Sequence, residues 1–145
     1  MSELTQSLRK VLASNFALYL KTHMFHWNVE GPNFAEYHEF WSDVYEDLFE
    51  QSDILAEFIR QENEYAPGSL SIYAEISDVK DEEAFATSRD MFTKFLSDND
   101  TLIKLYNQLY AEAEKAEQFQ ISDFCAQRLG VHKKHAWMVR SYLKD

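Results

Sequence analysis

The chain has 145 residues, with 25 acidic and 14 basic side chains and a formal net charge of −11. An apolar fraction of 46% excludes intrinsic disorder, and three glycines and two prolines are too few for a chain of many tight turns such as a β-sandwich. The length fits one domain over 1–145, and the acidic balance argues against wrapping DNA electrostatically, which needs clustered Lys and Arg.

Ser2 is placed to cap a first helix. Leu4, Leu8, Val11 and Leu12 recur at helical spacing, and a second stripe runs through Phe16, Leu20, Met24 and Trp27. Two stripes predict a helix covered on more than one side, as in a bundle or an oligomer. The helix ends near Val29, because Gly31-Pro32 follows. Asn33 fits the cap of a second helix with the stripe Tyr37, Trp41, Val44, Leu48, Leu55 and Ile59, and Phe40, Phe49 and Phe58 extend its apolar surface. The pattern dissolves around Asn63, and Ala66-Pro67-Gly68-Ser69 reads as a turn. Leu70 to Ile76 fits a short connector helix.

Asp78 or Asp81 is the expected cap of a third long helix, whose stripe is Phe85, Phe92, Phe95, Leu96, Leu102, Tyr106, Leu109 and Ala113. The polar patch from Glu114 to Gln120 holds the next turn. A fourth long helix follows with Phe124, Cys125, Leu129, His132, Val139, Tyr142 and Leu143; Gly130 inside it costs roughly 1 kcal/mol relative to Ala. The fold class is therefore all-α, a four-helix bundle. The connection between the second and third helices is long enough to cross the bundle, which is the topology of ferritin-like folds.

The lone Cys125 excludes an internal disulfide framework and fits a reducing compartment. No stretch approaches eighteen uncharged apolar residues, and Met1-Ser2-Glu3-Leu4 does not read as a secretion signal, so a cytoplasmic location is expected.

Five histidines and a surplus of carboxylates invite a search for metal ligands. The Glu-x-x-His motif of di-iron bundles does not occur, so a site inside one bundle is not expected. His26 lies near the end of the first helix and His38 one turn into the second. Asp53 and Glu57, at i and i+4, share one face of the second helix. Imidazole with carboxylate oxygens suits iron and other first-row metals. His38 and Asp53 are fifteen residues apart on one helix, about 22 Å, so no ion bridges them within a chain. Two chains about a two-fold axis bring one His pair against the other's Asp-Glu pair, giving two symmetric sites.

His26-Trp27-Asn28-Val29-Glu30-Gly31-Pro32-Asn33-Phe34, followed by His38-Glu39, resembles the signature of the Dps family, the mini-ferritins named for DNA protection in starved cells. The Ala66-Pro67-Gly68-Ser69-Leu70 turn and the ending, with Asp123 before His132 and then Trp137-Met138-Val139-Arg140, fit the family too. The resemblance implies a ferritin-like bundle with a short helix in the crossover. It also implies a hollow dodecamer, built from two-fold dimers, that oxidises Fe(II) with hydrogen peroxide and stores the ferric mineral. Carried over, the family's ferroxidase motif falls on His26, His38, Ser42, Asp53 and Glu57. Ser42 departs from it, because the family has Asp there. Serine is a weak neutral ligand; Asp43 points about 100° away around the helix, while Glu46, one turn on, is a possible substitute. By resemblance, Trp27 could supply an electron and quench a radical oxidant. Asp123 is either a pore carboxylate at a three-fold axis or an ordinary exposed one.

Three functions are open at this point: a peroxide-dependent iron oxidase and store, a cage whose oxidase is impaired by Ser42, and a nucleoid-coating protein. The third is disfavoured, since Glu3 stands in the short segment at the start and Leu143-Lys144-Asp145 adds no basic tail.

Overall fold

The computed structural model describes residues 1–84 and 87–145. Ser2 does cap the first helix, α1 (Glu3–Asn28): its hydroxyl accepts the Thr5 N–H at 3.1 Å, and Glu3 adds a negative charge to the first turn. The core stripe of α1 steps four and three residues in alternation, through Leu4, Leu8, Val11, Asn15, Leu18, Thr22, Phe25 and Val29, all buried. This is the heptad spacing that packs neighbouring helices at a shallow angle. The expected second stripe is no part of the core: Leu20 is 43% and Trp27 60% exposed, while Phe16 and Met24 are half-buried. The core stripe passes through polar Asn15 and Thr22, so apolar residues alone do not trace it.

α2 (Phe34–Gln61) returns antiparallel to α1. Asn33 precedes it without capping any N–H through its side chain. Trp41, Val44, Leu48, Leu55 and Ile59 are buried as expected, with Phe40 and Phe58, whereas Phe49 is 58% exposed and lies against the Tyr19 ring. The crossover carries α3 (Leu70–Ile76), which packs across α1 through Phe16 and Tyr73, their centroids 5.0 Å apart. Asp78 serves α1 rather than capping a helix: its carboxylate accepts from Lys10 at 3.0 Å and its N–H donates to Ser14 Oγ at 2.9 Å. Asp81 lies in the same non-helical segment. The cap of α4 (Ser88–Lys115) is instead Thr87, which accepts the Asp90 N–H at 3.1 Å. Phe85 lies outside the described residues. A turn at 116–118 leads to α5 (Phe119–Tyr142), a few residues earlier than the stripe suggests; Glu117 takes a left-handed φ of 59° in it.

α4 runs parallel to α2, pairing Tyr37 and Trp41 with Phe92, and α5 runs antiparallel to both. This is the one-crossover four-helix bundle expected from the sequence. No helix of the described residues is long and apolar enough to cross a membrane.

A polar network joins α2, α4 and α5 inside the bundle. Arg128, 4% exposed, donates to both carboxylate oxygens of Asp47, at 2.9 and 2.7 Å. His132 is fully buried; its Nδ1 donates to Asn99 Oδ1 at 2.7 Å, its Nε2 accepts from Arg128 at 3.2 Å, and Asn99 donates back to the His132 carbonyl at 2.9 Å. Burial first, and then the Arg128 charge, hold the His132 imidazole well below its ordinary pKa.

Removing one partner of a buried pair leaves the other charge uncompensated. Asp47→Ala is expected to destabilise the fold by about 3 kcal/mol in denaturant unfolding, and Asp47→Leu with Arg128→Met to recover most of the loss. The His132 shift sets the acid limb. Its folded pKa lies below the unfolded value of about 6.5, so the unfolded chain takes up the proton first, and stability falls as pH drops below about 6.5. Unfolding midpoints measured from neutral pH downwards are expected to fall less steeply in His132→Gln than in the parent chain.

Candidate metal centre

The last turn of α1 faces the first turns of α2 across the Val29–Asn33 turn, in which Gly31 takes a φ of 118° open to glycine. Here the two histidines engage each other's backbone. His26 Nδ1 donates to the His38 carbonyl at 2.7 Å, and His38 Nδ1 donates to the His26 carbonyl at 2.7 Å. The rings stack with centroids 3.7 Å apart and 17° between planes. A carbonyl only accepts, so each Nδ1 carries a proton, and each neutral ring keeps its lone pair on Nε2. That is how a backbone partner fixes a metal-binding tautomer. The His26 carbonyl is among the last four of α1, which have no partner within the helix, so the His38 bond also satisfies a helix end. Both rings are half-buried and within reach of a ligand.

The carboxylates stand elsewhere. Asp53 and Glu57 are exposed on α2, about 22 and 28 Å along the helix from His38. Among the described residues, no three His, Cys, Asp or Glu side chains come close enough to hold an ion. One chain thus brings together His26 and His38 and, separately, Asp53 and Glu57. Ser42, one turn beyond His38, directs its hydroxyl along the helix to Glu46 Oε1 at 3.4 Å. Glu46 is exposed. Asp123, at the start of α5, is exposed and accepts from Gln127 at 3.0 Å.

Aromatic groups crowd the His26 side. Trp27 lies over the His23 ring with centroids 4.0 Å apart, and His23 stacks on Tyr45 at 3.8 Å. Tyr19 Oη lies 3.0 Å from His23 Nδ1. Burial and the nearby His26 lower the His23 pKa. Sequence reasoning missed the Tyr19–His23 contact, although their i, i+4 spacing was the available signal. It also missed the Arg128–Asp47 pair, whose signal was a cation between the buried positions Cys125 and His132.

A family model described as a ferritin-like domain matches residues 5–145. A DNA protection during starvation protein of Helicobacter pylori (strain J99) is 31% identical over 137 residues, covering 94% of this chain and 95% of that one. An uncharacterized low temperature-induced protein of Nostoc sp. is 29% identical over 139 residues, covering 94% of this chain and 78% of its own. Among solved structures, Dps from Staphylococcus aureus superposes with a TM-score of 0.94 at 27% identity, covering 99% of this chain and 96% of that chain.

Proposed function

The chain belongs to the ferritin-like family, in its Dps branch, and on that premise we propose that it is an iron-oxidising mini-ferritin with a site shared between subunits. Fe(II) is the substrate. His26 and His38 of one subunit supply the Nε2 ligands, and Asp53 and Glu57 of a two-fold related subunit supply carboxylates. Carboxylate oxygens favour Fe(III) over Fe(II), which eases oxidation. With hydrogen peroxide as oxidant, two Fe(II) and two protons give two Fe(III) and two waters. Ferric product is stored inside a dodecamer built from such dimers.

The single observation that carries this reading is the reciprocal histidine–carbonyl bonding, which presents two Nε2 lone pairs side by side on a chain whose matching carboxylates stand a helix-length away. An oligomer also accounts for the apolar surface left open on α1 and α2: Leu20, Trp27, Phe34, Phe49 and Ile54. The net charge of −11 per chain draws Fe(II) towards the shell and sets direct DNA binding outside this reading. Asp123, exposed at the start of α5, is the proposed pore carboxylate.

A second reading rests on Ser42. Its neutral hydroxyl, turned to Glu46, leaves the centre one carboxylate short, so one iron position is weakened and oxidation slows. In this reading Glu46 is the substitute ligand.

The shared site is tested by complementation. Chains carrying His26→Ala with His38→Ala, and chains carrying Asp53→Ala with Glu57→Ala, are each expected to lose peroxide-dependent oxidation of Fe(II), followed by absorbance of the ferric product. Refolded together, half the dimers are mixed and each holds one intact site, restoring about a quarter of parental activity. No recovery in the mixture would exclude a site built from two chains. In the same assay Ser42→Asp is expected to speed oxidation if the second reading holds; an unchanged rate returns the choice to the first.

A further inference from the structure

Phe49 is 58% exposed on the outer side of α2, and a shallow groove beside it is lined by Tyr19 of α1 with Tyr45, Glu46, Phe49 and Glu50 of α2. The Tyr19 ring lies 5.2 Å from Phe49 and 6.2 Å from Tyr45, so three aromatic rings make the apolar part of the groove. Glu46 and Glu50 are exposed at its rim.

The position of this groove meets a point set by the proposed ligands. A two-fold axis across α2 runs the helix antiparallel to its copy, and paired residues then lie equally far from the axis on either side. Matching the His38–Ser42 turn of one copy to the Asp53–Glu57 turn of the other puts the axis between Asp47 and Leu48. Tyr45, Glu46, Phe49 and Glu50 are centred on that same point. The ligand positions and the groove are separate features of α2, and both select one axis. Phe49 of one copy stands opposite Glu46 of the other, and Tyr45 opposite Glu50.

The charge around the axis is of one sign. Between His38 and Arg60, α2 carries seven Asp or Glu and no Lys or Arg. Asp47 is matched inside the bundle by Arg128. Lys21 of α1 is buried against Asp98 at 2.6 Å. Glu46 accepts from the neutral Ser42 hydroxyl, and among the described residues neither Glu46 nor Glu50 has a cationic partner. An exposed aromatic in a groove is the kind of anchor that holds an interface, whereas like charges brought together oppose association until salt screens them.

We propose that this groove is the centre of the contact with a second copy, and that Glu46 and Glu50 of both copies act there as a brake on association. The aromatic rings drive the contact, and the four glutamates make it tighten as ionic strength rises, the reverse of an interface held by ion pairs. The inference rests on the shared-site reading, which supplies the register.

Metal-free protein is followed by sedimentation velocity on dilution and, for assemblies that dilution does not open, in urea below the unfolding transition. The monomer fraction is the readout, because a monomer appears only when the two-fold contact opens. Salt is set at about 0.02 M and about 0.5 M NaCl, which shortens the screening length from roughly 20 Å to roughly 4 Å. The parent chain is expected to associate several-fold more tightly at the higher salt. Glu46→Gln with Glu50→Gln is expected to associate more tightly than the parent at low salt and to lose most of the salt response. Glu117→Gln with Asp145→Asn, which removes the same charge from other surfaces, is expected to keep that response. Phe49→Ala is expected to weaken association about tenfold at either salt. The register is read separately from Glu46→Cys, whose thiol is accessible while Cys125 is buried. A short bismaleimide is expected to link it in pairs, giving a covalent dimer on a denaturing gel. An assembly that loosens as salt rises, a glutamate double variant that behaves as the parent, or a Glu46→Cys chain that does not link overturns the inference. If mixing the histidine and carboxylate variants still restores oxidation, the shared site stands and only this contact falls. A parent chain that stays monomeric overturns both.

Discussion

Two backbone carbonyls decide where the histidine lone pairs point. The α1–α2 pairing places the His26 carbonyl, an open acceptor at a helix end, against the His38 ring, and places the His38 carbonyl against the His26 ring. The metal-ready tautomer is thus set by the meeting of two helices rather than by a metal. That meeting depends in turn on the buried stripe of α1, whose alternating steps keep the helix in register with its neighbours from Leu4 to Val29. The packing of the whole bundle fixes the direction of two nitrogens at its rim.

The interior of the bundle explains why the rim is where such chemistry is available. His132 lies fully buried, with both ring nitrogens engaged: one donates to Asn99 and the other accepts from Arg128. No lone pair remains for an ion. Arg128 is itself an interior cation and takes both oxygens of Asp47. Bundles of this topology can hold metals between facing helices. This one fills that region with its own charge, matched and hydrogen-bonded, and leaves two free imidazole nitrogens at the end of α1.

The helices, the connector at Leu70–Ile76 and the crossover were legible in the sequence, because apolar periodicity and the Gly31-Pro32 and Pro67-Gly68 breaks report them directly. The core face of α1 beyond Leu12 was not legible, since Asn15 and Thr22 are buried through side-chain hydrogen bonds that no apolar pattern registers. The start of α4 was misread because Asp78 and Thr87 have the same capping chemistry, and a distant contact with Lys10 and Ser14 decides between them. His26 and His38 were legible as a pair from their positions at the ends of adjoining helices. Their bonds to each other's carbonyls were not, because those depend on how closely two helix ends approach.

The reciprocal bonds have a consequence for how this chain can vary. Each residue added to or removed from a helix end turns the following side chains by about 100° and shifts them by about 1.5 Å. One inserted residue between Val29 and Asn33 that was absorbed into α2 would swing His38 away from the His26 carbonyl and break both bonds at once. Exposed turns usually tolerate changes in length, and by its exposure this one belongs with them. Its spacing is instead held by the imidazoles on either side, so length variation among related chains should gather in the 62–69 segment and leave this turn alone.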